Sequence, residues 1–330
     1  MQMQKYMRNP NESYTDYFVR LFEKKDQYGL TCDDIAKLLN AENGNDYSEC
    51  TYRKEYAAFN RGRMFERGLH PSNIHKRILS ISDLHVPFQK PAGAFAKYAG
   101  QVDILQINGD VTDCASISKF SKAYRNSVME EIIAARQYLI ELIELLHPRE
   151  VILTYGNHDA RFENYLARNL DTDILELMPR TSLELIVNDG FHHYDKRNRA
   201  KVWYSPLAEV FEDTVITYAD NWYCTIGKTI FCHPLAYSSG MMKTAEKAMY
   251  FFRNEGLQFN SLVMAHTHRI GSYLIGNTTI FEQGACCETA KMKYNDGKLV
   301  NSQKEGCLYI EQDKDGNIIH YHQEILNQED

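Results

Sequence analysis

The sequence predicts an α/β protein that carries a small all-helical domain at its N-terminus. From residue 78 onward, apolar segments of strand length alternate with helical segments, a pattern that is typical of α/β folds. Before residue 78, three short segments have apolar residues at helical spacing and are separated by turns containing glycine or asparagine. We therefore predict an accessory helical domain over residues 1–77 and an α/β domain over residues 78–330.

Each helix of the N-terminal domain has a recognisable start. Ser13, with Asp16 three residues later, resembles a capping box, and Thr31 and Ser48 are the predicted caps of the second and third helices. Three short helices joined by tight turns suit a helix-turn-helix-like bundle.

The end of this domain is basic. Between Arg53 and Arg77, seven Lys and Arg residues face two Glu residues. A basic run of this kind is typical of nucleic-acid contact, and a solvated helix face followed by a basic linker is the alternative. The candidate contact residues are Arg53, Lys54, Arg61 and Arg63.

In the α/β domain, buried strands are predicted over residues 77–82, 102–107 and 151–155, with an amphipathic helix over 126–146. Later strands are predicted over 222–226, 229–232, 262–264 and 279–281, before a hairpin formed by 307–312 and 318–323. Residues 160–215 are polar and interrupted by prolines, and we predict that they form an insertion over the functional site.

Composition limits the class of protein. No apolar stretch is long enough to span a bilayer, and the polar N-terminus does not resemble a signal peptide, so we expect no membrane partner. The eight cysteines form no C-x-x-C pair, which favours reduced thiols and a cytoplasmic location. The formal net charge of −7 argues against a protein whose whole surface binds nucleic acid.

Metal-type ligands follow the first three predicted strands of the α/β domain. These clusters are Asp83-Leu84-His85, Gly109-Asp110-Val111-Thr112-Asp113 and Gly156-Asn157-His158-Asp159. His233 follows a later strand, and His266-Thr267-His268 follows another. Because open α/β sheets bind ligands at the carboxyl ends of their strands, we expect these loops to meet.

The spacing and chemistry of these residues suggest how they hold ions. In an extended segment residues i and i+2 point the same way, so Asp83 and His85 can bind one ion. A central carboxylate, Asp110, can bridge two cations. Ligands of the Asp, His and Asn types without thiolate favour Mn, Fe, Zn or Ni over a structural zinc site.

These motifs, taken in order, resemble the five motifs of the calcineurin-like metallophosphoesterases over about residues 78–270. The resemblance implies a four-layer β-sandwich flanked by helices and two divalent metal ions. By this resemblance, the first metal is held by Asp83, His85, Asp110 and His268, and the second by Asp110, Asn157, His233 and His266. His158 is similar to the catalytic histidine of the family, and Asp113 to the acid that orients it.

The sequence departs from the family pattern at three places. Ala265 replaces the usual glycine before the last motif, Cys114-Ala115 replaces the Arg-Gly of Ser/Thr protein phosphatases, and Asp159 replaces their Glu. The last two differences favour phosphodiesterases or nucleases over protein phosphatases.

Alternatives remain for individual residues. His192-His193 competes with His233 as a ligand, but it follows a polar turn in the predicted insertion rather than an apolar strand. Arg161 and Arg269 lie beside motifs and are candidates for phosphate contact, with surface salt bridges as the alternative. Asp110 and Asp113, taken singly, could be helix caps, and His266 and His268 could be structural histidines.

The predicted chemistry is in-line attack by a metal-bridging hydroxide, with His158 stabilising or protonating the leaving oxygen. This scheme needs no covalent nucleophile and predicts inversion at phosphorus. The leading hypothesis for the substrate is nucleic acid, DNA or RNA, because the predicted N-terminal helical domain carries a basic run. The arrangement resembles metallophosphoesterases of bacteriophages and prophages, which often carry such a helix-turn-helix-like segment. The alternatives are a phosphomonoester, a nucleotide or a cyclic nucleotide, or a scaffold without catalysis. Manganese is the expected metal in vitro.

Overall fold

The computed structural model describes residues 6–9, 12–66, 74–119, 126–235, 238, 240–292 and 303–326, without the side chains of residues 61 and 63–66. The side chains of Arg61 and Arg63 therefore lie outside the described residues. The chain separates into two compact units, Met1–Ser72 and Asn73–Asp330, which we describe separately. None of the helices in the described part of the chain is both long and apolar enough to cross a membrane.

The described part of the N-terminal unit contains four helices, α1 (Tyr14–Glu23), α2 (Lys25–Tyr28), α3 (Cys32–Asn43) and α4 (Glu49–Glu66). The Ser13 hydroxyl caps α1 by accepting from the Asp16 amide, and Thr31 and Asp34 form a complete capping box on α3. Gly44 ends α3 in the left-handed conformation, as the predicted turn requires. The small core of this unit contains Tyr17, Phe18, Leu21, Ile35, Leu39 and Tyr52. The small helical domain is confirmed, and its likeness to a helix-turn-helix stays a prediction.

The second unit is built on a six-stranded sheet with the order β13-β12-β1-β2-β3-β6. Its parallel strands are β1 (Lys76–Ile81), β2 (Ile104–Asn108), β3 (Glu150–Thr154) and β6 (Val215–Tyr218). The hairpin of β12 (Gly306–Gln312) and β13 (Ile318–Ile325) adds to it in antiparallel orientation.

A five-stranded sheet with the order β10-β11-β9-β8-β7 packs against the first. Its parallel strands are β8 (Thr229–Cys232), β9 (Ser261–Met264) and β11 (Thr278–Gln283). Its antiparallel edges are β7 (Tyr223–Ile226) and β10 (Ile270–Ile275). An apolar layer separates the two sheets and includes Ile78, Ile104, Phe231, Val263, Phe281 and Leu308.

Helices cover both outer faces of this sandwich. The long helix α5 (Val128–Leu146) packs on the six-stranded sheet through Ile132, Leu139 and Leu142. On the other side, α9 (Lys243–Asn254) packs on the five-stranded sheet through Ala245, Met249 and Phe252. The order helix, sheet, sheet, helix confirms the predicted four-layer α/β sandwich.

The segment between β3 and β6 contains short elements. They are α6 (Arg161–Asn169), α7 (Thr172–Leu175), α8 (Ser182–Glu184), a π-helical turn (Leu185–Asp189) and a hairpin of β4 (Phe191–Asp195) and β5 (Ala200–Tyr204). Leu183, Ile186 and Leu207 from this segment are fully buried in the main core. Part of the segment therefore packs as core, and its predicted placement over the site stays a prediction.

Candidate metal centre and active site

The candidate site lies where five strands of the two sheets end. Strands β1, β2 and β3 lie side by side in parallel, and the loops that follow them carry the first three motifs. His233 follows β8, and His266 and His268 follow β9. The parallel topology brings together residues that are far apart in sequence, as predicted.

The backbone at these loops is sharply bent rather than extended. Asp83, His85 and Asp110 have φ values of 52°, 45° and 53°, and His266 and His268 have values of 79° and 52°. The left-handed region is uncommon for residues with a side chain, and such strain is concentrated at functional sites. The predicted extended geometry for Asp83 and His85 is therefore wrong, because β1 ends at Ile81 and the loop turns before either residue.

The first cluster consists of Asp83, His85 and His268, whose ligand atoms lie within 4.8 Å of one another. The His268 Nε2 atom is 3.1 Å from Asp83 Oδ1 and 3.2 Å from His85 Nε2. The second carboxylate oxygen of Asp83 accepts from the Ser82 hydroxyl at 2.7 Å and from the His266 amide at 3.2 Å. These hydrogen bonds hold one carboxylate oxygen and leave the other facing the histidines.

The second cluster consists of Asp110, His233 and His266. His233 Nε2 is 3.2 Å from Asp110 Oδ2, while His233 Nδ1 is 2.7 Å from the carbonyl oxygen of Asn108. The carbonyl accepts from Nδ1, so Nε2 is the atom that can bind an ion. Asp110 Oδ2 also lies 3.8 Å from His85 Nε2. Asp110 therefore lies between the two clusters.

A third group lies beside Asp110 and contains His158, Asp113 and Arg161. His158 Nδ1 donates to Asp113 Oδ1 at 2.8 Å, and its Nε2 is 4.0 Å from Asp110 Oδ2. Arg161 donates to His158 Nε2 at 2.9 Å and to the Asp113 carbonyl at 2.7 Å. Asp113 Oδ1 is also 3.4 Å from His85 Nδ1, a contact that the sequence did not predict.

Residues 76–269, more than half of the chain, match the profile described as calcineurin-like phosphoesterase. The chain belongs to this family. It is a metal-dependent phosphoester hydrolase, and the family fold implies divalent metal ions, for which the clusters above are candidate sites. Residues 2–67 match the profile described as the YonJ N-terminal domain.

Among solved structures, the phosphoesterase is similar to an archaeal phosphodiesterase, with 14% identity over 76% of this chain and 99% of that chain at a TM-score of 0.34. It is also similar to Vps29 from Entamoeba histolytica complexed with Zn²⁺, with 13% identity, 76% and 99% coverage and a TM-score of 0.34. A predicted phosphoesterase from Streptococcus pneumoniae has 12% identity, 72% and 83% coverage and a TM-score of 0.29. Likeness at this level carries no information on activity. No curated protein sequence matches the chain.

The electrostatics of the phosphoesterase site fit divalent cations. Burial alone would raise the pKa of Asp110, but His233, His158 and His85 overcome this effect and hold it well below its usual range. Burial likewise opposes ionisation of Asp83, yet His268 and His233 lower its pKa. Two buried, ionised carboxylates at one place need positive charge nearby, which divalent cations supply.

An unsatisfied polar atom supports the same conclusion. The Asn157 Oδ1 atom is buried and has no hydrogen-bond partner among the described residues. A buried amide oxygen is normally paired, so an orphaned one in a cluster of ligand-type side chains suits coordination of an ion. By the family resemblance, Asn157 is also a ligand of the second metal, together with Asp110.

Asp159 is a structural residue of the site that sequence reasoning did not identify. Its carboxylate accepts from the backbone amides of Val111, Thr112 and Gly156 at 3.3, 3.0 and 3.0 Å, and from the Thr112 hydroxyl at 2.9 Å. It therefore ties the loop after β2 to the loop after β3. The sequence contains no sign of this role beyond the position of Asp159 in its motif.

The structure gives the following surroundings for the remaining candidate residues. Arg269 is buried and donates to the Gly240 carbonyl at 3.2 Å. His192 is exposed on β4 and packs against Trp203, with ring centroids 4.7 Å apart, and it belongs to none of the three His and Asp clusters found in the described chain. Arg53 and Lys54 are exposed on α4 in the N-terminal unit.

Proposed function

We propose that this phosphoesterase is a two-metal phosphodiesterase that cleaves nucleic acid by in-line attack of water at phosphorus. The observation that supports it most is the meeting of three ligand-type clusters around Asp110. Asp83, His85, Asp110 and His268 would hold one divalent cation, and Asp110, Asn157, His233 and His266 the other. When bound, the cations would lower the pKa of water and neutralise charge on the phosphoryl oxygens. We propose Mn as the metal in vitro, with Fe, Zn or Ni as alternatives.

The proton chemistry is assigned to His158. Because its Nδ1 atom donates to Asp113, its Nε2 atom is the one that would take up a proton from solvent and pass it to the leaving oxygen. Arg161 covers Nε2 in this structure through a contact of 2.9 Å. A phosphoryl oxygen is a stronger partner for a guanidinium than an imidazole nitrogen is. Substrate would therefore draw Arg161 toward phosphate and free Nε2.

Support for nucleic acid as the substrate comes from the N-terminal unit. Arg53 and Lys54 are exposed on α4, and the ion pair of Arg53 with Glu49, 3.4 Å apart, is a weak surface pair. Exposed cations on one helix suit contacts to phosphate, which carry affinity and not sequence preference.

A substrate comparison tests the proposal. Mn-loaded protein is assayed on bis(p-nitrophenyl) phosphate, p-nitrophenyl phosphate and labelled single- and double-stranded DNA and RNA at low salt. We expect cleavage of the diester and of a nucleic acid, with loss of turnover in Asp110→Ala and His158→Ala. Rapid cleavage of the monoester with intact nucleic acid would exclude the nuclease and favour a phosphomonoesterase. Protein that binds no metal and cleaves nothing would favour a scaffold.

Two further measurements separate parts of this proposal. Substituting Arg53 and Lys54 by Gln should weaken cleavage of nucleic acid and reduce its salt dependence, while cleavage of the small diester stays unchanged.

A chiral phosphorothioate substrate should give inversion at phosphorus, because one displacement inverts the centre. Retention would show a covalent intermediate and contradict direct attack by water.

A further inference from the structure

A cavity of about 440 Å³ lies beyond the end of β8, where the chain continues from His233, and plays no part in the chemistry described above. Its apolar lining includes Trp222, Leu235 and Phe251, and its polar lining includes Ser238, Thr244 and Lys247. Ligand pockets of this size are typically apolar with a few polar groups that fix orientation.

The lining of this cavity is adjacent in sequence to the candidate metal ligand His233. The His233 amide donates to the carbonyl of Trp222 at 2.8 Å, and Leu235 lies two residues after His233. His233 Nε2 is in turn 3.2 Å from Asp110 Oδ2. The cavity lining and a candidate metal ligand therefore share one stretch of chain after β8.

The aromatic side chains of the cavity are held in place from behind. Trp222 stacks on the fully buried Phe252, with centroids 5.1 Å apart and an angle of 23° between the rings. Phe251 tilts toward Trp222 at 5.5 Å and remains 45% exposed. Leu235 is 50% exposed. Rigid aromatic surfaces left open to solvent suit stacking with a flat ring.

The polar side chains stand on one part of the lining. Lys247 Nζ donates to the Ser238 hydroxyl at 2.8 Å, and the Ser238 amide donates to the Thr244 hydroxyl at 3.1 Å. Within the described residues, Lys247 forms no ion pair with a carboxylate. A cation and two hydroxyls beside aromatic surfaces match a base that combines a π-face with ring nitrogens and carbonyl oxygens.

We infer that this cavity, the Trp222–Phe251 pocket, binds the nucleobase attached to one side of the scissile phosphodiester. The inference rests on the proposed function and specifies its substrate as a phosphodiester with a nucleoside on that side. Stacking accepts any base, because every base has a π-face, so the pocket would confer affinity with little sequence preference.

Kinetics with two esters of the same leaving group test the inference. The p-nitrophenyl ester of thymidine 5′-monophosphate carries a nucleoside, and methyl p-nitrophenyl phosphate does not. We expect Phe251→Ala to lower kcat/KM for the nucleotide ester by about tenfold or more, and Lys247→Gln to lower it less. For the methyl ester, kcat/KM should stay within about twofold of the wild-type value, since the candidate metal ligands are unchanged. Trp203 is an exposed tryptophan on β5. Trp203→Ala is the matched control and should leave kcat/KM unchanged for both esters.

A binding measurement makes the inference independent of turnover. The chain has two Trp residues, so Trp203→Phe leaves Trp222 as the only tryptophan. In that background, adenosine 5′-monophosphate should quench the fluorescence saturably, and Phe251→Ala should weaken the affinity. Absence of saturable quenching, or equal losses on both esters in Phe251→Ala, would overturn the pocket. Failure of the wild-type enzyme on both esters while quenching persists would instead reject the proposed function.

Discussion

Asp159 shows how one side chain can position a site without touching the chemistry. Four of its hydrogen bonds reach the loops after β2 and β3, which carry Asp110 and Asn157. Removal of the carboxylate leaves several buried donors unpaired, each at a cost of about 1–3 kcal/mol. We expect Asp159→Ala to lower the free energy of unfolding by about 3 kcal/mol or more in urea titrations. The exposed Asp213→Ala is the control, and equal stabilities of the two variants would contradict this role.

Glu131 is a buried acid on α5. Its carboxylate accepts from the Cys114 amide at 2.6 Å. Burial, helped by the charge of Asp113, raises the pKa of Glu131 to about 8. The folded state therefore favours the protonated acid. Its contribution to stability is fully present below the ordinary pKa of 4.5 and is lost as pH rises toward about 8.

The variant Glu131→Gln should remove this dependence. In urea titrations of metal-free protein, the variant should gain on the wild type as pH rises from 5 to 8, by at most about 1.4 kcal/mol per pH unit. Glu141→Gln, farther along α5, should follow the wild type. Parallel pH profiles of Glu131→Gln and wild type would show that the acid ionises freely.

Most residues of the candidate site could be predicted from the sequence, but their hydrogen-bond partners could not. Asp83, Asp110 and His266 follow apolar strands, and strand order in a parallel sheet places such residues together. The contact of Asp113 with His85 depends on how two separate loops bend, and the contact of Arg161 with His158 depends on where α6 begins. Those bends include left-handed φ values at Asp and His residues, which enter this region more often than most residues but too rarely for the sequence to predict it.

The helices and strands that the sequence did not predict lacked clear local patterns. Helix α9 has no side-chain cap, since Met242 precedes it with φ 60°, so the usual start pattern is missing. Strands β6 and β10 are edge strands whose side chains are in part exposed. By contrast, α5 has a complete capping box at Ser127 and a long apolar stripe, and it was predicted within two residues.

The loops after β2 and β3 approach each other closely at Asp110 and Gly156. A Cβ atom added to Gly156 would lie 2.1 Å from Asp110 Oδ1 and 2.5 Å from the Asp110 amide nitrogen. Gly156→Ala should therefore displace Asp110, weaken binding of Mn by about tenfold or more and lower kcat, because ligand geometry tolerates little displacement. Metal titration calorimetry and steady-state assays measure both effects. At Gly93 an added Cβ meets nothing within 4 Å, so Gly93→Ala should behave as wild type.

Metal binding and folding are linked in this protein. Asp83 and Asp110 are buried and ionised in the folded protein, and cations that bind there stabilise the folded state. At a free Mn concentration of 100 times Kd, the stabilisation is about 2.7 kcal/mol. A chelator should therefore abolish turnover and lower the thermal midpoint, and Mn should restore both. Asp110→Ala should show a much smaller shift, and equal midpoints with and without Mn in the wild type would contradict the linkage.

The ligand set is divided between the two sheets. Asp83 and Asp110 follow strands of one sheet, while His233 and His266 follow strands of the other. A bound cation pair would link the two sheets of the sandwich. Poorer packing between the sheets should therefore weaken metal affinity. We expect Phe231→Leu, which thins the apolar layer two residues before His233, to raise the Kd for Mn several-fold without removing a ligand. Phe18→Leu in the N-terminal core should leave that Kd unchanged.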